Sequence, residues 1–259
     1  MTASTGAPEL VVQGNMAKIT LRRPAQRNRL QSDDLHALLR HFAQVEADAA
    51  VRVLLITSST QEQPRPVFCA GYDVGGFDDT VHDPHLFARV ADTLERLRPV
   101  TLAAVNGSVY GGATDLVLAC DLRVGLAGCE WRMPALALGL HYYPTGLRRY
   151  VARLGLPLAQ RAFLSAQALA FEQLQVGGGL QWVLSAAEFD EHVQNLVRQV
   201  CALAPLAAQT TKQSLLEVAA GQFDLVRLHQ REAITLASAD FAEGRAAFAE
   251  RRAPVFRGQ

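Results

Sequence analysis

Asn106-Gly107-Ser108-Val109-Tyr110-Gly111-Gly112-Ala113-Thr114-Asp115 decides how this chain folds, because two consecutive glycines join an apolar stretch on one side to a helical pattern on the other. Val100–Val105 (VTLAAV) has the unbroken apolar character of a fully buried strand, and residues 116–119 continue a helix beyond the glycines. A helix that starts at Gly111 or Gly112 leaves its first N–H groups without intrahelical acceptors, at the positive end of the helix dipole. One of those amides can point at an anion. Asp115 follows Gly112 by three residues and therefore lies on the same helical face.

A second amide donor is expected from Phe68-Cys69-Ala70-Gly71-Tyr72-Asp73, which follows the β-branched run of residues 51–57 (VRVLLIT) and a polar, proline-containing loop. Gly71 allows the backbone to turn the Tyr72 amide outward. Elsewhere the pattern alternates strand and helix. Residues 9–13 and Met16–Arg22 alternate around Gly14-Asn15 and read as a β-hairpin. From Ser32, read as an N-cap, Leu35, Leu38, Leu39, Phe42 and Val45 recur at helical spacing, and residues 84–97 place Phe87, Val90, Leu94 and Leu97 on one helical face. This predicts an α/β fold with right-handed crossovers in a largely parallel sheet, and ligands at the carboxyl ends of its strands.

Beyond about residue 152 the pattern turns mostly helical, over 158–164, 171–176, 187–203, 206–219 and 224–250, with a short strand at 180–184. Gly177-Gly178-Gly179 lacks the lysine of a phosphate-binding P-loop and reads as a helix C-cap leading into that strand. With 25 basic and 25 acidic residues the net charge is +0, so no global field attracts nucleic acid or an acidic membrane surface. No apolar run approaches the ~18 residues of a membrane span, and residues 1–8 lack the basic and apolar segments of an export signal, so a soluble cytoplasmic protein is expected. Cys69, Cys120, Cys129 and Cys201 are scattered without CxxC spacing, which suits reduced structural thiols rather than disulfides or a metal site.

FCAGYD at 68–73, AVNGSVYGGATD at 104–115 and CDLRVG at 120–125 together resemble the enoyl-CoA hydratase/isomerase (crotonase) superfamily. Both ends of the chain carry the same resemblance, through Leu21-Arg22-Arg23-Pro24 with Asn28, and through Glu243-Gly244-Arg245-Ala246-Ala247-Phe248 with Arg252, Pro254 and Phe256. It spans about residues 9–258. The resemblance implies a crotonase-like spiral of ββα units with a helical C-terminal region. The expected division is a disordered tail over 1–8, a catalytic core over 9–200 and a helical trimerisation region over 201–259. It also implies a homotrimer or dimer of trimers and a coenzyme A thioester as substrate, with no permanently bound cofactor or metal. By motif position the amides of Tyr72 and Gly112 form an oxyanion hole, with Ala70 and Gly71 beside the substrate. Arg27 and Arg29, clustered with Arg22 and Arg23, stand at the family's nucleotide-side entry, and Lys212 stands where a C-terminal helix often contacts phosphate.

Hydratases of this family hold one water between two glutamates. At the first position this chain has Asp115, shorter by one methylene or about 1.5 Å. At the second, in Met133-Pro134-Ala135, it has an alanine, which moves no proton. Tyr142, three residues after Gly139, together with GSVYGGA at 107–113, resembles the methylmalonyl-CoA decarboxylase branch. Loss of carbon dioxide generates the thioester enolate without a strong base, and Tyr142 could hydrogen-bond the departing carboxylate. His141 is a second candidate acid near neutral pH. The expected function is therefore an acyl-CoA enzyme that stabilises a thioester enolate, with decarboxylase-like, isomerase or lyase chemistry ahead of hydration. The alternatives are a hydratase or isomerase with its acid/base group relocated, and an acyl-CoA-binding subunit with impaired catalysis.

Overall fold

The computed structural model describes residues 6–61, 63–73 and 83–259. In chain order the elements are β1 (Gly6–Gln13), β2 (Met16–Arg22), α1 (Ser32–Ala47), β3 (Val53–Ser58), β4 (Val67–Cys69), α2 (Leu86–Arg96), β5 (Val100–Val105), β6 (Ser108–Tyr110) and α3 (Gly112–Ala119). They continue with β7 (Leu122–Leu126), β8 (Glu130–Arg132), α4 (Pro144–Leu164), β9 (Leu169–Ala170), α5 (Phe171–Val176) and β10 (Trp182–Leu184). Four helices close the chain, α6 (Ala186–Cys201), α7 (Pro205–Ala219), α8 (Leu225–Leu236) and α9 (Ala239–Glu250).

The strands form two sheets, one of six in the order β1-β2-β3-β5-β7-β10 and one of four in the order β4-β6-β8-β9. The first is parallel from β2 onward, with β1 added antiparallel as the expected hairpin. The second sheet is a correction to the sequence reading, which ran the strand at 100–105 directly through the glycines into a helix. Instead β6 pairs in parallel with β4 and β8 before α3 begins. Three successive units, β3-β4-α2, β5-β6-α3 and β7-β8-α4, thus repeat one design: a long strand in the first sheet, a three-residue strand in the second, then a helix. This is the ββα spiral that the resemblance implied.

Other boundaries shift for local reasons. The tail expected over 1–8 is ordered from Gly6, where β1 pairs with Arg22 and the Arg22 guanidinium donates to the Ala7 carbonyl; residues 1–5 lie outside the described residues. Gln31, rather than Ser32, is the N-cap of α1, and its amide donates to Asp34 Oδ2 at 2.9 Å. The last long helical pattern is broken in two, because Ser238 caps a fresh start by accepting from Phe241 N at 3.0 Å.

The main core lies between the six-stranded sheet, the second sheet and helices α1 to α4, with Phe42, Phe68, Trp131, Tyr150 and Phe171 fully enclosed. The other face of the six-stranded sheet is covered by Phe189, Val193, Leu196 and Val197 of α6. Two cations tie the helical tail to this sheet. Lys212 of α7 reaches Asp121 Oδ2 at 2.7 Å and the Pro99 carbonyl at 2.9 Å. Arg52, just before β3, donates to the Cys201 carbonyl at 2.9 Å and the Phe256 carbonyl at 2.6 Å.

Candidate active site

The parallel pairing of β4 with β6 brings their carboxyl ends side by side, and with them the two glycine turns. Gly71 has φ +96°, and a Cβ there would fall 2.8 Å from the Tyr110 carbonyl oxygen and 3.5 Å from the Gly112 nitrogen. Only glycine permits that approach. The 70–73 turn is laced to residues 27–30, with Ala70 N donating to Arg27 O, Leu30 N to Gly71 O and Asp73 N to Leu30 O, each at 2.9 Å. On the facing side Gly111, at φ +56°, donates its amide to the Arg132 carbonyl at 2.9 Å and leaves Gly112 as the first residue of α3. Ala70, Gly71, Tyr72 and Gly112 are thereby brought together.

Asp115, one turn into α3, is fully buried. Its carboxylate receives Arg149 Nε at 3.0 Å on one oxygen and Arg149 Nη2 at 2.7 Å on the other, a bidentate pair with both side chains at 0% exposure. The remaining Arg149 nitrogen donates to Asp92 at 2.7 Å and Glu95 at 3.2 Å on α2, and Arg148 also contacts Glu95. Burial pulls the Arg149 guanidinium down, but hydrogen bonds and charge from Asp115 more than offset it, so its pKa lies above the usual arginine value. A third donor completes the carboxylate's shell: the Tyr143 hydroxyl, 2.5 Å from Asp115 Oδ2.

Tyr142, the residue expected to orient a carboxylate, is placed differently. Its ring is 6% exposed, stacked on Tyr143 at 4.3 Å and packed against Tyr150 and Phe163, and its hydroxyl donates to Tyr143 at 3.2 Å. Tyr143 is the one of the pair that reaches Asp115. Gly146, in the first turn of α4, makes room for both rings: a Cβ there would overlap Tyr142 and lie 2.8 Å from Tyr143. Burial first, then the Asp115 charge, raises the pKa of both phenols, so each remains a neutral donor throughout the ordinary pH range. His141 is exposed and Ala135 is buried in a short 3-10 turn.

The cations divide in the same way. Arg27 is exposed, and Arg29 is exposed and 3.2 Å from Asp73, both beside the 70–73 turn. Arg22 and Arg23 are engaged with Glu9 and Asp34. Lys212 is 7% exposed, and its bonds to Asp121 and Pro99 turn it into the fold rather than toward the site. Cys69 donates its thiol to the Asn28 carbonyl at 2.9 Å, and burial pushes its pKa up to about 12, so it is an inert packing group. Among the described residues no group of three or more His, Cys, Asp or Glu could hold a metal, and no helix is long and apolar enough to cross a membrane.

Sequence reasoning missed Tyr143, Arg149 and Phe87, whose ring sits against Gly112. One signal for Arg149 was present. Gly146, Arg149, Tyr150 and Leu154 share the buried face of α4, and a cation on such a face requires a buried acid.

Two abutting glycine turns on a ββα spiral, with a carboxylate one turn into the following helix, are the arrangement that the resemblance to the crotonase superfamily implied. Residues 12–259 match the family model described as enoyl-CoA hydratase/isomerase, and the chain belongs to that family of acyl-CoA enzymes. It is 29% identical to the 2,3-dehydroadipyl-CoA hydratase of Escherichia coli, covering 97% of this chain and 99% of that protein. It is 26% identical to the carnitinyl-CoA dehydratase of Proteus mirabilis, covering 96% and 98%. The crystal structure of enoyl-CoA hydratase from Bacillus anthracis superimposes with a TM-score of 0.86 at 22% identity, covering 98% of this chain and 100% of that one, and carries the likeness of fold.

Proposed function

We propose that this chain stabilises the enolate of a coenzyme A thioester and reaches it without a carboxylate base, the fitting reaction being decarboxylation of a malonyl-type thioester. The observation that carries this reading is the state of Asp115. Its two oxygens are taken by Arg149 and Tyr143, and Ala135 supplies no second carboxylate to hold a water against it. With both oxygens accepting from protein donors, the carboxylate is occupied in holding Arg149 and Tyr143 in place.

In the proposed mechanism the thioester oxygen sits between the Tyr72 and Gly112 amides. As the bond from Cα to the carboxyl group breaks, its electron pair passes into the thioester, carbon dioxide leaves, and negative charge develops on that oxygen. Preorganised donors there contribute about 3 kcal/mol each to the transition state. The enolate carbon then takes a proton. Tyr143 is the proposed acid: its O–H turns from Asp115 to the enolate carbon, and solvent restores the proton. Asp115 and Arg149 act in this scheme as positioning residues. Arg27 and Arg29 are proposed for the phosphates of coenzyme A. Exposed Leu225, Val226, Ile234, Leu236, Phe241 and Phe248 on α8 and α9 support self-association as a homotrimer or dimer of trimers, which sedimentation would measure.

The names of the relatives, hydratases and a dehydratase, favour a second reading in which hydration persists with a relocated acid/base group. Turnover of malonyl- or methylmalonyl-CoA beside crotonyl-CoA separates the two. The proposal expects release of carbon dioxide from the former and negligible hydration of the latter. Hydration of crotonyl-CoA above about 100 per second would overturn it.

A further inference from the structure

Phe87 projects from the first turn of α2 onto the opening turn of α3. An ideal Cβ on Gly112 would lie 2.7 Å from its Cζ and 3.0 and 3.1 Å from its two Cε atoms. The edge of the ring therefore fills the space that a side chain at 112 would occupy, directly beside the amide assigned to the thioester oxygen. The ring centre is 6.0 Å from that of Tyr72 and 6.5 Å from that of Tyr143, so Phe87 is the middle one of three neighbouring aromatic rings. Phe87 is the one among them without a polar group. It is 9% exposed and packed against the opening turn of α3.

We propose that Phe87 is the residue that limits acyl size at this site, admitting short acyl groups and excluding long ones. The inference rests on the oxyanion assignment above and names the substrate class for it. An acyl group whose carbonyl oxygen reaches the Gly112 amide carries its Cα and Cβ past the Phe87 ring. A small substituent is accommodated there, whereas an extended chain must displace a ring that close packing holds in place. The same apolar edge also offers no counter-ion to a carboxylate on Cα, an environment that disfavours the charged ground state relative to loss of carbon dioxide.

The test uses saturated acyl-CoAs, which neither lose carbon dioxide nor add water, so it is independent of the reaction assigned. Dissociation constants of butyryl-CoA, octanoyl-CoA and free coenzyme A are measured by calorimetry on the parent, Phe87→Leu and Phe87→Ala, with thermal melts reporting folding. The expected result is at least ~10-fold weaker binding of octanoyl-CoA than butyryl-CoA by the parent, a preference abolished or reversed in both variants, and unchanged binding of free coenzyme A. Phe87→Leu keeps most of the packed volume and decides the matter if Phe87→Ala fails to fold. Equal affinity of the parent for the two chain lengths would overturn the inference, as would the same discrimination persisting in folded Phe87→Leu. Absence of any acyl-CoA binding by the parent would instead overturn the thioester reading itself, and the inference with it.

Discussion

The two walls of the proposed site are built from different materials. The wall proposed as the oxyanion hole is backbone: two glycines, at 71 and 112, whose approach to 3.5 Å between an added Cβ and an amide nitrogen leaves no choice of residue. The facing wall is side chain: Asp115 from α3, Tyr143 at the N-cap of α4, Arg149 from α4 and two acids from α2. A backbone wall keeps its chemistry whatever the neighbouring side chains are. A side-chain wall does not, because each member is held by another: Asp115 by Arg149 and Tyr143, and Arg149 in turn by Asp92 and Glu95.

The largest effect that would break this contrast is expected at Arg149. Arg149→Met leaves the Asp115 carboxylate buried without its cation and should cost about 3–5 kcal/mol of stability by urea unfolding. Arg149→Met combined with Asp115→Leu should recover much of that loss; a single variant as stable as the parent would show that the pair does not hold this wall. On the oxyanion side, Tyr72→Pro removes an N–H and should lower kcat by about 100-fold or more, whereas Tyr72→Phe stays near the parent. Equal losses in the two folded variants would transfer the role to the phenol. Within the side-chain wall, Tyr143→Phe should reduce kcat about 100-fold and Tyr142→Phe only within about threefold, with both binding an inert acyl-CoA normally. The reverse order would return Tyr142 to the role expected from sequence.

The smallest effect is a slope in alkali. Burial raises Tyr142, Tyr143 and Tyr150 above their usual 10 in the folded protein, and the Asp115 charge adds to it for all three. Above about pH 10 the unfolded chain then holds fewer protons than the folded one, so stability is complete below that pH and declines above it. Each phenol contributes up to about 1.4 kcal/mol per pH unit. Urea midpoints that match at pH 8 and 10.5 would contradict the burial of these hydroxyls.

This division of materials also explains what the sequence made legible. Features enforced by local geometry could be read directly, among them the β1-β2 hairpin at Gly14-Asn15, the start of α3 at Gly111 or Gly112 and a helix cap within Gly177-Gly178-Gly179. The second sheet could not be read, because β4, β6 and β8 are three residues each and offer no period to recognise. Asp115 was found by its place after the glycines, but its neutralisation depends on an arginine 34 positions away. Tyr142 and Tyr143 are adjacent in a loop without periodicity, so nothing local distinguishes the ring that packs from the ring that reaches the carboxylate.

Arg52 gives the chain an order of assembly. Its two carbonyl partners, Cys201 and Phe256, come 149 and 204 residues later, whereas the β2-β3-β5 pairing around it joins segments tens of residues apart. During synthesis the sheet therefore has its partners long before this guanidinium has its own, and the helical tail docks onto a core already formed. A contact made after the rate-limiting step slows escape from the native state without hastening arrival. Arg52→Ala should thus accelerate unfolding and leave refolding nearly unchanged, the kinetic signature of a clasp that closes last.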